Sequence, residues 1–152
     1  MAAHEIRRMR ADELGEVVAL WRRSRDEAQP WLEARMSHST DDDLRYFRDV
    51  VARENEVWLA LSGGRPLGLL ALREGFIAHL YVDPPAQRSG VGSVLIAHAQ
   101  ALSPGGLSLY THQRNQRARR FYERHGFRPR SFGVSPGAEC EPDVRYERPS
   151  RE

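Results

Sequence analysis

The chain has 152 residues, a formal net charge of +2, 40% hydrophobic and 29% charged residues. That balance fits a single globular domain spanning 1–152, and it argues against disorder, a membrane span or a nucleic-acid partner. Cys140 is the only cysteine, so neither an intrachain disulfide nor a cysteine metal cluster is expected, and no metal site is predicted.

All 23 basic positions are Arg, with no Lys. This removes Walker-type nucleotide hydrolysis, pyridoxal Schiff-base chemistry and lysine-tethered carriers. No signal-peptide core follows Met1, which makes a cytoplasmic location the expectation.

In chain order, Glu5–Arg8 reads as an opening strand. Asp12 then caps a helix that buries Leu14, Val17, Val18 and Trp21. Residues 29–39 are mixed, with Trp31 and Met36 suggesting a short, partly exposed helix or loop. Thr40 to Asp43 has the form of a capping box before a helix burying Leu44, Phe47 and Val51. Val57–Ser62, Gly63-Gly64 and Pro66–Leu72 form a hairpin, and Glu74–Val82 supplies the next strand. A helix over Gly90–Ser103 should bury Val91, Val94, Leu95, His98 and Leu102. Strands follow at Leu107–Tyr110, near Phe127–Val134 and at Val144–Glu147, with a short helix capped by Asn115 among them.

The most informative stretch is Val82-Asp-Pro-Pro-Ala-Gln-Arg-Ser-Gly-Val-Gly92. It joins a strand to a helix through a glycine-spaced loop. A helix start offers unpaired N–H groups and the positive end of the macrodipole, so it suits phosphate. Gly90 and Gly92 lack Cβ atoms and let a diphosphate approach closely. The spacing is neither the dinucleotide fingerprint nor a P-loop. Taken alone, such glycines also occur in turns with no ligand.

A second segment runs Asn115-Gln-Arg-Ala-Arg-Arg-Phe-Tyr-Glu-Arg-His-Gly-Phe127, a capped helix stopped by Gly126. Ala118, Phe121, Tyr122 and His125 share one of its faces, while its arginines lie largely on the exposed side. The H-L-Y-V-D-P-x-x-Q-R-x-G-V-G-S run at 79–93 and the N-x-x-A-x-x-F-Y-E-x-x-G-F run at 115–127 resemble the GCN5-related N-acetyltransferase superfamily. The likeness extends over essentially the whole chain. It implies an α/β (α+β) fold: a mixed, strongly bent sheet of about seven strands with helices on both faces and two central strands, 76–82 and 107–110, splayed apart.

The reaction so implied is direct attack of a primary amine, of a small molecule or a protein, on the thioester of acetyl-CoA. Gln87, Arg88, Ser89, Gly90, Val91, Gly92 and Ser93 would hold the diphosphate. Leu80, Tyr81 and Val82 would pair with pantetheine as an added strand, with a strand N–H near Leu80 or Val82 facing the oxyanion. Asn115 and Ala118 would complete the coenzyme site, and some of the helix arginines would meet its 3′-phosphate. Tyr122 matches the tyrosine that protonates departing coenzyme A.

For the general base, strand parity puts Glu74 on one face with Phe76, Ala78, Leu80 and Val82. Glu74 also matches the glutamate of the ribosomal-protein branch, whereas other branches carry a glutamate where this chain has Phe76. A β-bulge would reverse the parity and bring in His79 instead.

The acceptor should meet residues 29–43 and 135–143, both acid-bearing, which favours a cationic amine. Two rivals stand beside this reading: an inactive acyl-CoA sensor of the same fold, and an arginine-rich RNA-binding module. The resemblance also leaves room for a homodimer.

Overall fold

Runs such as Val57 to Leu61 and Leu67 to Leu72 are apolar at successive positions rather than alternating. A strand with that pattern is covered on both faces. The computed structural model, which describes residues 4–31, 38–136 and 139–150, shows this arrangement. Seven strands form one mixed sheet: β1 (Glu5–Arg8), β2 (Glu56–Ser62), β3 (Arg65–Arg73), β4 (Phe76–Val82), β5 (Gly106–His112), β6 (Arg128–Val134) and β7 (Pro142–Pro149). Their spatial order is β1-β2-β3-β4-β5-β7-β6.

On one face, α1 (Leu14–Ala28) and α2 (Thr40–Tyr46), prolonged by a π-turn over Phe47–Val51, bury Val17, Leu20, Trp21 and Phe47 on Leu59, Leu61, Leu69 and Ala71. On the other, α3 (Val91–Leu102) and α4 (Gln116–Arg124) cover Ala60, Leu70, Leu72, Ile77 and Leu109. No helix among the described residues is long and apolar enough to cross a membrane.

Several local expectations are corrected. The capping box lies one residue earlier: Ser39 Oγ accepts from Asp42 N (3.1 Å) and Asp42 Oδ2 accepts from Ser39 N (3.3 Å). Helix α1 starts at Leu14 after a turn of 3-10 helix, whose Glu13 carboxylate accepts from Arg10 N at 2.8 Å. Helix α3 buries Val91, Leu95, Ile96 and Ala99, with Leu102 exposed, because its axis lies over β3 at Gly68. A Cβ on Gly68 would sit 2.8 Å from Val91 Cγ1 and 3.0 Å from Leu95 Cδ1. Within the 29–39 segment, residues 32–37 and hence Met36 lie outside the described residues.

Two irregularities shape the site. Strands β4 and β5 are parallel but paired only at Phe76↔Ser108 and Ile77↔Leu109, and beyond these they part. In β4, Ala71↔His79 is followed by Leu72↔Ile77, so Ala78 is an inserted residue. This bulge ends simple alternation. Ile77, Leu80 and Val82 pack toward α3, whereas Ala78 and Tyr81 pack toward α1.

Candidate active site

The parting of β4 and β5 opens a cleft of about 1550 Å³. It is larger than a pocket for a compact small molecule and has room for an extended ligand and an acceptor. Its phosphate-like end is built at the start of α3. Gly90 is the N-cap, with φ 88°, and the first intrahelical bond is Val94 N→Gly90 O at 3.0 Å. The N–H groups of Val91, Gly92 and Ser93 therefore have no intrahelical acceptor, which makes this end an anion cradle. Arg88, Arg120 and Arg124 border it, and none forms an ion pair among the described residues.

The two glycines have different reasons. A Cβ on Gly90 would meet open space, but φ 88° is a backbone region that side chains disfavour. A Cβ on Gly92 would lie 2.9 Å from Phe121 Cζ. Gly92 thus lets α4 pack on α3, a role in addition to the ligand approach expected of it. Ser93 is also partly committed: its hydroxyl lies 2.8 Å from His125 Nε2, while His125 Nδ1 lies 2.8 Å from the Phe121 carbonyl. Donation from Nδ1–H to that carbonyl leaves Nε2 to accept from Ser93.

Gln87, Arg88, Gly90, Gly92 and Ser93 all border the cleft, as do Leu80, Tyr81, Val82, Asn115, Ala118 and Tyr122. Two of the predicted coenzyme-binding residues do not. Val91 is a core side chain, and Ser89 Oγ turns back to the Ala86 carbonyl, so each can offer only its backbone. Asn115 caps α4 by accepting from Ala118 N at 3.2 Å. Its amide nitrogen has no partner among the described residues.

Tyr122 is 8% exposed, ringed by Phe121, Phe127 and Tyr146 at centroid distances of 5.3, 5.5 and 6.4 Å. Loss of solvent pushes its phenol well above the usual value, and the nearby Tyr81 phenol adds to the shift. It is therefore neutral and protonated.

Glu74 is corrected by the fold. It sits in the β3–β4 turn with φ 48°, exposed and outside the cleft wall, so the parity that grouped it with Leu80 and Val82 does not hold. The bulge at Ala78 brings His79 into the cleft, edge-on to Trp21 at 5.9 Å and stacked on Tyr81 at 6.2 Å. Burial lowers His79 to about 4, against a smaller opposing pull from the Glu139 carboxylate.

One pair went unnoticed in the sequence. His112, the last residue of β5, hydrogen-bonds through Nε2 to Glu139 in the β6–β7 loop. These residues are 27 apart and belong to no spaced motif. The only hint was the acidic character of 135–143.

Arginines border the α3–α4 end of the cleft, while Asp42, Asp43, Glu139 and Asp143 border the end toward α2 and the β6–β7 loop together with Arg25. Asp43 is bound there by Arg22 and Arg25. A splayed parallel pair, an anion cradle and a buried tyrosine between them define an acyl-CoA-dependent transferase. Comparison with known proteins agrees. The family described as "Acetyltransferase (GNAT) domain" matches residues 53–129. Peptidyl-lysine N-acetyltransferase YjaB of Escherichia coli is 33% identical over 81% of each chain. Peptidyl-lysine N-acetyltransferase YiaC of the same organism is 32% identical over 80% of this chain and 82% of its own. The solution structure of apo YjaB superposes with a TM-score of 0.82 at 26% identity, covering 99% of this chain and 100% of that one.

The chain belongs to the GNAT acetyltransferase family. It is an N-acetyltransferase that uses acetyl-CoA as donor and an amine as acceptor.

Proposed function

We propose that this protein acetylates the ε-amine of lysine residues in proteins or peptides, the whole chain acting as one catalytic domain in the cytoplasm. The observation that carries this reading is the excess of carboxylates where a cationic acceptor would enter, Asp42, Asp43, Glu139 and Asp143 against Arg25, opposite the arginines where the coenzyme phosphates would lie. The peptidyl-lysine acetyltransferases YjaB and YiaC, similar over most of the chain, support the same acceptor.

The cradle N–H groups of Val91 to Ser93 would take the diphosphate, with Arg88, Arg120 and Arg124 neutralising charge around it. Pantetheine would lie along the open edge of β4. The Val82 carbonyl there already accepts from Ser24 Oγ (3.0 Å) and Gln87 Nε2 (3.2 Å), so a ligand donor competes with one of them. A backbone N–H at Leu80 or Val82 would face the developing oxyanion.

Tyr122 then protonates the leaving sulfur. In water a phenol of pKa about 10 and a thiol of about 8.5 are poorly matched once burial raises the phenol. The same burial disfavours the thiolate and raises its proton affinity, which restores the match.

His79 is a weak candidate for the base. At about 4 it lies some six units below an alkylammonium of pKa about 10. Glu74 stands outside the cleft.

The test is acetyl transfer from acetyl-CoA to lysine peptides with blocked N-termini, read by thiol release and by mass of the product, beside free polyamines. Stoichiometric ε-acetylation is expected. Turnover of the polyamines alone would assign a small-molecule acceptor instead.

A further inference from the structure

We infer that His112, held by Glu139, is the general base that deprotonates the acceptor amine; this rests on the acetyl-transfer reading above and specifies its missing proton acceptor. His112 is 8% exposed and borders the cleft at the end of β5, three residues past the last β4–β5 pairing. Leu107 and Leu109 pack toward α3, so alternation turns Tyr110 and His112 to the opposite face, the one Tyr81 shares with α1. That is the acceptor side.

Three observations assign the role. First, Nε2 meets the Glu139 carboxylate, which places the ring proton on Nε2. Second, Nδ1 is buried with no hydrogen-bond partner among the described residues. An imidazolium would leave a buried N–H unsatisfied there until an acceptor amine reaches it, whereas the neutral ring keeps an unpartnered lone pair. Third, the ring is fixed from a further side by Trp31, edge-on at 6.3 Å, whose indole carries the Arg114 guanidinium at 4.5 Å. A carboxylate that orients an imidazole and stabilises its protonated form, while the other nitrogen takes the substrate proton, is the division of labour in hydrolase triads.

The charged and titratable groups around the ring come from four directions. Glu139 lies in the β6–β7 loop, and Asp143 of β7 pairs with His112 in register. Arg114 follows β5 and is bound to Glu141 at 2.8 Å. His79 and Tyr81 stand across the splay, where the Glu139 charge acts on both, and Arg25 of α1 acts on Tyr81.

The proton balance closes. The alkylammonium gives one proton to His112 Nδ1, which later passes to solvent. The freed nitrogen pair forms the C–N bond as the C–S bond breaks, and the departing sulfur takes the Tyr122 proton. The second proton leaving nitrogen restores the phenol, so the products are the amide, the free thiol and one released proton.

The experiment is the pH profile of kcat/KM for acetyl-CoA and an N-blocked lysine peptide, in wild type, His112→Gln and Glu139→Gln, with added imidazole for His112→Ala. His112→Gln should fall by about 10²-fold or more below wild type near pH 7 and converge on it near pH 10, where the amine deprotonates unaided. Acetyl-CoA affinity should not change, and imidazole should restore part of the His112→Ala rate at neutral pH. Glu139→Gln, which removes the charge that orients the ring, should lose part of the same neutral-pH rate.

A His112→Gln loss that is the same at every pH, with no imidazole rescue, would mark a packing residue and overturn the assignment. Should a substituted ring position fail to fold, an unchanged neutral-pH rate in Glu139→Gln overturns it as well. The wild-type reaction is the separate control: no transfer to lysine peptide or polyamine would contradict the acetyl-transfer reading itself.

Discussion

Arg117 of α4 forks onto Glu27 of α1, with Nη1–Oε1 at 2.9 Å and Nη2–Oε2 at 2.5 Å, joining residues 90 apart in sequence. Gln87 of the cradle loop also donates to Glu27, at 3.2 Å. The pair ties the helix packed on β4 to the helix that follows β5, and so bridges the two sides of the splay. The hydrogen bonds from Arg117, helped by that from Gln87, hold the Glu27 carboxyl below its ordinary range against the effect of burial.

Both side chains are well exposed, at 51% and 38%, so the bridge adds little to folding. Its effect should appear in ligand exchange. Arg117→Ala is expected to speed acetyl-CoA release by up to about fivefold, equivalent to ~1 kcal/mol, with Tm almost unchanged. Stopped-flow displacement measures this, and release at the wild-type rate would remove any gating role for the pair.

Gly92→Ala should act through packing. The added methyl meets Phe121 at 2.9 Å, and overpacking of this kind typically costs about 1–3 kcal/mol. Thermal unfolding should shift down, and Phe121→Leu in the same chain should recover much of the loss. Gly90→Ala meets no neighbour, so its cost should come from φ 88° alone. An unaltered Tm for Gly92→Ala would show that α4 yields freely.

Stability should fall in mild acid because of His79. Its pKa is about 4 in the fold against 6.5 unfolded. The unfolded chain therefore binds the proton first, and stability present above pH 6.5 is lost as pH falls toward 4, at up to about 1.4 kcal/mol per pH unit. His79→Phe keeps a ring between Trp21 and Tyr81 and should flatten that window. Glu13, held at about 2 by its hydrogen bond to Arg7, loses its contribution lower, between 4.5 and 2. Denaturant titrations across pH 4–7 separate the two, and an unchanged slope in His79→Phe would place the titration elsewhere.

Much of this was legible in the sequence where the determinants are local. The cradle and the Asn115 helix are contiguous motifs with caps and glycines at fixed offsets, and the splayed pair followed from the family they resemble. The Ala78 bulge was foreseen only as an alternative, because register depends on β3, which the β4 residues do not encode. The role of Gly92 depends on Phe121, 29 positions later, and so on how α3 and α4 pack. His112 and Glu139 meet only because β7 inserts between β5 and β6, carrying the preceding loop over the cleft. No spacing rule marks such a pair.

Tyr122 bears most directly on how the cleft works, and single-turnover kinetics of Tyr122→Phe with acetyl-CoA and a lysine peptide test it. The substitution keeps the ring among Phe121, Phe127 and Tyr146 and removes only the hydroxyl, so coenzyme affinity and Tm should hold. Acid catalysis by Tyr122 predicts that the chemical step slows by about 10²–10⁴-fold, and less for a thioester whose thiol leaves without protonation. Turnover of the Phe variant at close to the wild-type rate would contradict that role and make Tyr122 a packing residue.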